Sequence, residues 1–262
     1  MGGNKISTPY EGLFSIKDKV ALVVGAAGGL AGETCLGLAQ YGARLALADL
    51  DPEGLKEVSS MLQSKGIEPW CHVTDVSDET SVATLFDALE KTFGRLDIMI
   101  NFAGIAVPSP IEAINTAEFQ KIINVNLFGS FILAKYSLAL MVAQGSGKII
   151  LVGSVSGQIG RPFSAHYSAS KGGVHSMVRT LAVEMAKKNI QINSIAPVFT
   201  LTPMATSVVG NEEGRQRIVS TIPMGRLGLP SDLVGAMIFL VSSASDFVTG
   251  QTVFVDGGCT IS

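Results

Sequence analysis

Charge is scarce in this chain: Lys, Arg, Asp and Glu make up 16% of 262 residues, and 19 basic against 22 acidic side chains leave a formal net charge of −3. The basic residues are scattered rather than gathered into a stripe, which excludes the electrostatic footprint of nucleic-acid binding and disfavours anionic membrane surfaces. Cysteine is nearly absent. Cys35, Cys71 and Cys259 form no CxxC pair and have no histidine at ligand spacing, so neither a disulfide framework nor a metal site is expected, and all three read as buried thiols. Long hydrophobic runs are missing too. Residues 20–24 and 235–241 fall far below the ~18 apolar residues of a spanning helix, and no apolar segment follows a basic start. The opening Met1-Gly2-Gly3-Asn4-Lys5-Ile6-Ser7 places its serine one position too late for myristoylation. With 47% hydrophobic residues the chain can bury a sizeable core without covalent staples. The reading is a soluble cytoplasmic protein whose residues 1–15 form a polar arm.

What is abundant is glycine, 29 residues with no collagen-like period and no low-complexity block, so the excess belongs to particular loops. Short β-branched runs at 19–24, 44–49, 68–73, 96–101, 148–153, 190–195 and 252–255 alternate with amphipathic stretches near 31–42, 52–65, 78–93, 118–143, 166–188 and 230–243. Seven strands with intervening helices predict right-handed crossovers and an α/β fold: one doubly wound, Rossmann-type domain whose seven-stranded parallel sheet carries helices on both faces. No linker or repeat divides residues 1–262. The stretch 198–229, rich in Pro, Gly, Thr and Met, reads as an insertion forming a substrate lid.

In such a sheet the ligand crevice lies beyond the carboxyl ends of the strands. The first strand runs into Gly25-Ala26-Ala27-Gly28-Gly29-Leu30-Ala31-Gly32, where glycines permit a tight turn and let amides at a helix N-terminus approach a pyrophosphate. A glycine-rich turn can also serve close packing alone. Asp49, ending the second strand about twenty residues on, tips the reading, because a carboxylate there accepts hydrogen bonds from ribose hydroxyls. A second constellation is Tyr167-Ser168-Ala169-Ser170-Lys171 at the start of a helix. Tyrosine and lysine four residues apart share a helix face, and a nearby cation favours phenolate, which suits a general acid/base. Ser154, thirteen residues upstream at a strand end, can hydrogen-bond a substrate oxygen. Asn126 sits in a strongly apolar helix, where an amide needs a specific partner.

These residues together resemble the short-chain dehydrogenase/reductase family in its classical single-domain form, over essentially residues 17–258. Gly25 and Gly29 match the first two glycines of the family's TGxxxGxG, Asp75-Val76 its adenine-contacting pair, and Asn101-Phe102-Ala103-Gly104 its Asn-Asn-Ala-Gly. Asn126, Ser154, Tyr167 and Lys171 fall in the order of its catalytic tetrad, and Asp256-Gly257-Gly258 closes the last strand. The resemblance implies that Tyr167 exchanges the proton and Ser154 polarises the substrate oxygen. It implies further that Lys171 holds the nicotinamide ribose and lowers the phenol's pKa, while Asn126 orders a water. It places the cofactor, NAD, against Gly25, Gly28, Gly29, Leu30, Asp49, Leu50, Asp75, Val76, Asn101, Ala103, Gly104, Tyr167, Lys171, Pro197, Thr200 and Thr202. Four positions depart from the pattern. Val24 stands for threonine, Phe102 for the second asparagine and Val198 for a glycine; Ala31 stands for the third glycine, with Gly32 one place on leaving that register open.

The substrate pocket is expected from Ser156, Gln158, Phe163, Val198, Phe199 and Met204, with His166 beside them. Arg161 could hold an anionic group, though a solvated charge is the preferred reading; His166 is not expected to act in catalysis, and His72 and His175 have no partner spacing. The function implied is an NAD-dependent oxidoreductase interconverting a secondary alcohol, such as a polyol, sugar or alicyclic compound, and its ketone. The alternatives are a 3-oxoacyl thioester reductase and a catalytically silent dinucleotide-binding subunit. A homo-oligomer, a tetramer by resemblance, is expected because the helix 118–143 is apolar on more than the one side a sheet can cover.

Overall fold

Alternate residues of each central strand feed two separate cores, which is why these strands read as unbroken apolar runs. In β1 (Val20–Val24) Ala21 and Val23 face one core while Leu22 and Val24 face the other. The same alternation holds in β4 (Ile98–Asn101) and β5 (Gly147–Val152). With β2 (Arg44–Asp49), β3 (Trp70–Val73), β6 (Ile190–Pro197) and β7 (Thr252–Val255) they form one sheet of order β3-β2-β1-β4-β5-β6-β7, every pair parallel. This structure is a computed structural model and describes Tyr10, residues 12–202 and residues 211–262. Most of the expected polar arm, and Met204 of the expected pocket, lie outside the described residues.

The first core is covered by α1 (Ala31–Gln40), α2 (Pro52–Gln63) and α8 (Val234–Val241), the second by α3 (Glu79–Phe93), α5 (Gly129–Gln144) and α6 (Ala165–Met185). Local chemistry sets their ends. Asp51 caps α2 through Glu53 N with Pro52 in the first turn, Asp78 caps α3 through Thr80 N, and Gly94 (φ 67°) ends α3 in the left-handed conformation.

The expected helix 118–143 is not one α-helix. It runs as α4 (Thr116–Ile123), a π-helical turn (Asn124–Phe128) and then α5, with Gly129 N donating to Asn124 O. The wider turn displaces one residue from the helical ladder and leaves the Asn126 carbonyl to accept the Ser130 hydroxyl at 2.6 Å. Contrary to the expectation from short apolar runs, the whole stretch Thr116–Gln144 is long and apolar enough to cross a membrane; half of its most apolar window is buried inside the fold. Cys35 and Cys259 are buried as expected, but Cys71 is exposed, because β3 is an edge strand. That strand begins at Trp70 rather than 68, as Pro69 has no N–H to give the ladder.

The stretch 198–229 holds a helix the periodicity did not suggest, α7 (Glu212–Val219), capped by Asn211. Its two ends are pinned together where Thr200 bridges Gly228, through Leu201 N to Gly228 O and Gly228 N to Phe199 O. Val198, Ile222 and Leu227 make a small third core with Val155 and Cys259.

Candidate functional site

The strand order reverses between β1 and β4, so the loops leaving these two strands diverge and open a crevice. Gly25 stands at its base. With φ at +75° and a Cβ that would lie 2.4 Å from Ala103 N, no other residue fits there. Gly28 N bonds back to Gly25 O, and α1 starts from Leu30 with no side-chain cap. The amides of Gly29 and Leu30 donate to no acceptor among the described residues, which leaves donors at a helix N-terminus for an anionic group such as a pyrophosphate.

Asp49 ends β2 against that turn, its carboxylate accepting from Ala27 N at 2.9 Å and Asp51 N at 3.0 Å. Leu50 beside it is exposed. Asp75 accepts from both the amide and the hydroxyl of Ser77, and Val76 is buried where Gly129 lets α5 approach. Pro197 is the last residue of β6, and Thr200 donates its hydroxyl to Val198 O; Thr202 follows just before the undescribed residues 203–210.

Beyond β4 a chain of hydrogen bonds fixes the other wall. Asn101 accepts from Ala103 N and donates to Ser130 Oγ, which in turn donates to Asn126 O. The Asn126 side chain is fully buried yet saturated: it accepts from Ile105 N (2.8 Å) and donates to Ile105 O (3.0 Å) and Ser170 Oγ (3.1 Å). A Cβ on Gly104 would lie 3.3 Å from Asn126 Oδ1 and 3.4 Å from Lys171 Nζ, so glycine, amide and amine meet at one point. Lys171 donates to Val152 O at 2.8 Å, and its Nζ lies 5.8 Å from the Tyr167 ring centroid. Ser154 accepts from Ser156 N and hydrogen-bonds the Tyr167 side chain. Tyr167, Ser154, Lys171 and Asn126 are therefore gathered at the carboxyl ends of β4 and β5.

Burial governs their protonation. It pulls the Lys171 ammonium down to about 8 and pushes the Tyr167 phenol above its ordinary value, the Ser154 hydrogen bond acting against the latter. The lowering of the phenol expected from Lys171 is not seen here: burial raises it, and the Ser154 hydrogen bond is what opposes that rise. His175, one turn beyond Lys171, is kept neutral with a pKa near 4 by burial and by the Lys171 and Arg179 charges.

Sequence reasoning missed Ser130 and Ser170, which hold Asn126; the available signal was a hydroxyl four residues after that amide in the same apolar stretch. The expected pocket residues divide. Val198 and Phe199 pack with Val155 beside Ser154, Ser156 braces Ser154, and Gln158 and Phe163 are exposed at the rim. Phe163 adopts φ 61°, and its carbonyl accepts from Ser109 N. His166 is wholly buried, 3.3 Å from Glu118 Oε1, which also accepts the Ser109 hydroxyl. Arg161 is not the solvated loop charge expected. It is partly buried, with Nη2 on Cys259 Sγ at 2.7 Å and a buried Nε that has no partner among the described residues. A cleft of about 550 Å³ lined by Arg44, Trp70 and Phe93 lies at the opposite, amino end of the strands and holds none of these groups.

A crevice of this kind, with a glycine turn at a helix start, an acid closing β2 and a Ser–Tyr–Lys–Asn cluster across from them, defines a nicotinamide-dinucleotide oxidoreductase; the chain belongs to the short-chain dehydrogenase/reductase family. The family model described as enoyl-(acyl carrier protein) reductase matches residues 25–260. The chain is 35% identical to gluconate 5-dehydrogenase of Gluconobacter oxydans over 97% of its own length and 99% of the relative's. It is 37% identical to cis-4-hydroxycyclohexanecarboxylate dehydrogenase of Sinomonas cyclohexanicum, covering 93% and 97%. A solved gluconate 5-dehydrogenase from Burkholderia cenocepacia J2315, in complex with NADP and tartrate, superimposes with a TM-score of 0.91 at 34% identity, over 95% of this chain and 98% of that one.

Proposed function

We propose that the protein interconverts a secondary alcohol and its ketone, using NAD, with Tyr167 as the proton-transferring group. The observation that carries this reading is the convergence of Ser154, Tyr167 and Lys171 beside the Gly104–Asn126 contact. The bound nicotinamide supplies the hydride acceptor. Ser154 would hold the substrate oxygen against Tyr167, and Tyr167, acting as the phenolate, would take up the alcohol proton while the hydride leaves the carbon for the nicotinamide. Lys171, on the same face of α6, supports the phenolate and binds the ribose. Asn126 braces the π turn and the loop after β4 through Ile105. Gly25, Gly28, Gly29 and Leu30 receive the pyrophosphate, Asp49 and Leu50 the adenosine ribose, and Asp75 and Val76 the adenine. Asn101, Ala103, Gly104, Pro197, Thr200 and Thr202 line the nicotinamide half, and the stretch 198–229, of which 203–210 lie outside the described residues, would form the substrate lid.

The test is dinucleotide reduction followed by absorbance over polyols, sugar acids and alicyclic alcohols. Wild type is expected to turn over at least one class, and Tyr167→Phe to lose ~10²–10⁴-fold in kcat while still binding the dinucleotide. Near-full turnover by Tyr167→Phe refutes the assignment, and no turnover with any alcohol favours the silent subunit. The family model's description keeps a carrier-bound acyl thioester as the second reading, which preferential reduction of such a ketone would select.

A homotetramer in the cytoplasm belongs to the same proposal. Phe119, Phe128 and Phe131 of the α4–α5 stretch remain over 40% exposed, and the last two stack on one another at 6.3 Å, an apolar surface that another copy would cover.

A further inference from the structure

Among the seven arginines of the chain, Arg161 is the one that is not exposed, and it has neither a carboxylate nor an aromatic ring as partner among the described residues. Arg95, Arg215 and Arg226 pair with Asp97, Glu212 and Asp232, Arg44 lies over the Phe93 ring, and Arg179 and Arg217 face solvent. A guanidinium partly withdrawn from water, with a buried N–H and no counter-charge, is costly to keep. What Arg161 does have is a thiol, a weak acceptor, on Nη2, and nothing on the buried Nε. The carboxylate nearest to that thiol in sequence is spent: Asp256 accepts from Gly258 N, Thr260 N and Thr260 Oγ1. The undescribed segment 203–210, Pro-Met-Ala-Thr-Ser-Val-Val-Gly, contains no acid to supply one.

The position is as telling as the missing partner. Arg161 lies in the loop joining Ser154 to Tyr167, six residues before the tyrosine. Cys259, which it touches, belongs to the small apolar core formed by Val155, Val198, Ile222 and Leu227, with Phe199 packed against it. The cation therefore touches the small apolar core in which Val155, the neighbour of Ser154, packs with Val198, Ile222 and Leu227. A fork of N–H groups there matches a carboxylate and offers little to a neutral alcohol.

We propose that Arg161 binds the carboxylate of the substrate, so that the alcohol oxidised is a hydroxy acid. This rests on the alcohol dehydrogenase reading of the preceding section. Charge-assisted hydrogen bonds of this kind correspond to about tenfold to hundredfold in kcat/KM.

The test uses matched pairs: 4-hydroxycyclohexanecarboxylate and gluconate, each against its carboxamide, with the wild-type holoenzyme and the variants Arg161→Gln and Arg161→Lys. Wild type is expected to prefer at least one acid to its amide by tenfold or more. Arg161→Gln should bring that ratio close to one, and Arg161→Lys, which keeps the charge without the fork, should retain part of it. The proposal is overturned if wild type uses acid and amide equally, if neutral alcohols alone are oxidised, or if folded Arg161→Gln keeps the wild-type ratio. Should Arg161→Gln fail to fold, the wild-type ratio decides by itself. Absence of turnover with every alcohol defeats the dehydrogenase reading instead, an outcome distinct from oxidation without acid preference.

Discussion

Replacing Asp49 by serine and Leu50 by arginine should redirect the enzyme from NAD toward NADP, and the surroundings of Asp49 give the size of the effect. Its carboxylate is held at the end of β2 by Ala27 N and Asp51 N, and Asp51 places a second carboxylate nearby while capping α2. A 2′-phosphate would meet two negative charges. Among the described residues 25–32 and 44–50 no cation offsets them: Gly28 has no side chain, Leu50 is exposed to solvent, and Arg44, at the other end of β2, is engaged with the Phe93 ring at 5.0 Å. The ribose diol of NAD would instead donate to an ionised acceptor, a bond worth about 1.5–3 kcal/mol, or roughly 10–100-fold. With repulsion of the phosphate added, wild type should favour NAD by ~10²-fold or more in kcat/KM.

The double variant removes the attraction and supplies a guanidinium on an exposed site, so kcat/KM for NAD should fall about 10–100-fold while that for NADP rises. Because serine satisfies only one of the two amides, the variant should also lose about 1 kcal/mol of stability, visible in thermal melts. Initial rates with both dinucleotides on one alcohol measure the preference directly. Equal use of the two by wild type would refute the reasoning, and the NADP held by the Burkholderia relative makes that a real contest.

Gly25→Ala should destabilise by about 2–4 kcal/mol, combining a left-handed backbone with a clash at Ala103 N, and lower the melting temperature by roughly 5–15 °C. His175, whose folded pKa near 4 lies below the ordinary 6.5, binds its proton more readily when unfolded; its contribution is present above pH 6.5 and lost as pH falls toward 4. Unfolding free energies of wild type from urea titrations should therefore drop across that window, by on the order of 2 kcal/mol, and His175→Gln should flatten the profile. Phe131→Glu should dissociate the proposed tetramer of 27.4 kDa subunits, which light scattering would register as a lower mass; a monomeric wild type at micromolar concentration refutes the interface.

The sheet was legible because burial on both faces leaves a plain trace: Val20–Val24 and Gly147–Val152 carry hardly a polar side chain. The π turn was not, since a shift in backbone hydrogen-bond register needs no particular residue type; only Asn126, a lone amide among apolar neighbours, marked the place. Cys71 was misjudged because exposure on an edge strand depends on sheet order, which periodicity does not encode. The four polar residues of the candidate site were readable from spacing and family resemblance. Most of their supports were not: apart from Ser130 on the Asn126 carbonyl, four positions on, the bonds of Ser130 to Asn101, of Ser170 to Asn126 and of the Val152 carbonyl to Lys171 join positions 19 to 44 apart in sequence. For Arg161 the sequence offered a charge in a loop, and the missing counter-ion became visible only once its neighbours were placed.

The parallel sheet also dictates an order of assembly on the ribosome. No two paired strands lie closer than 24 positions along the chain, as Val20 with Arg44, and the central pairing of Val24 with Asn101 spans 77. Without hairpins to nucleate locally, β1 and β2 emerge with apolar side chains on both faces and two open edges; β3 can join β2, but the β1 edge must wait for β4 before the middle of the sheet can close. The crevice between β1 and β4 does not exist before that moment, and α6 with its tyrosine and lysine arrives later still. A dinucleotide bound between β1 and β4 therefore cannot template the early steps of folding, and the β1 edge stays open to non-native pairing until β4 emerges.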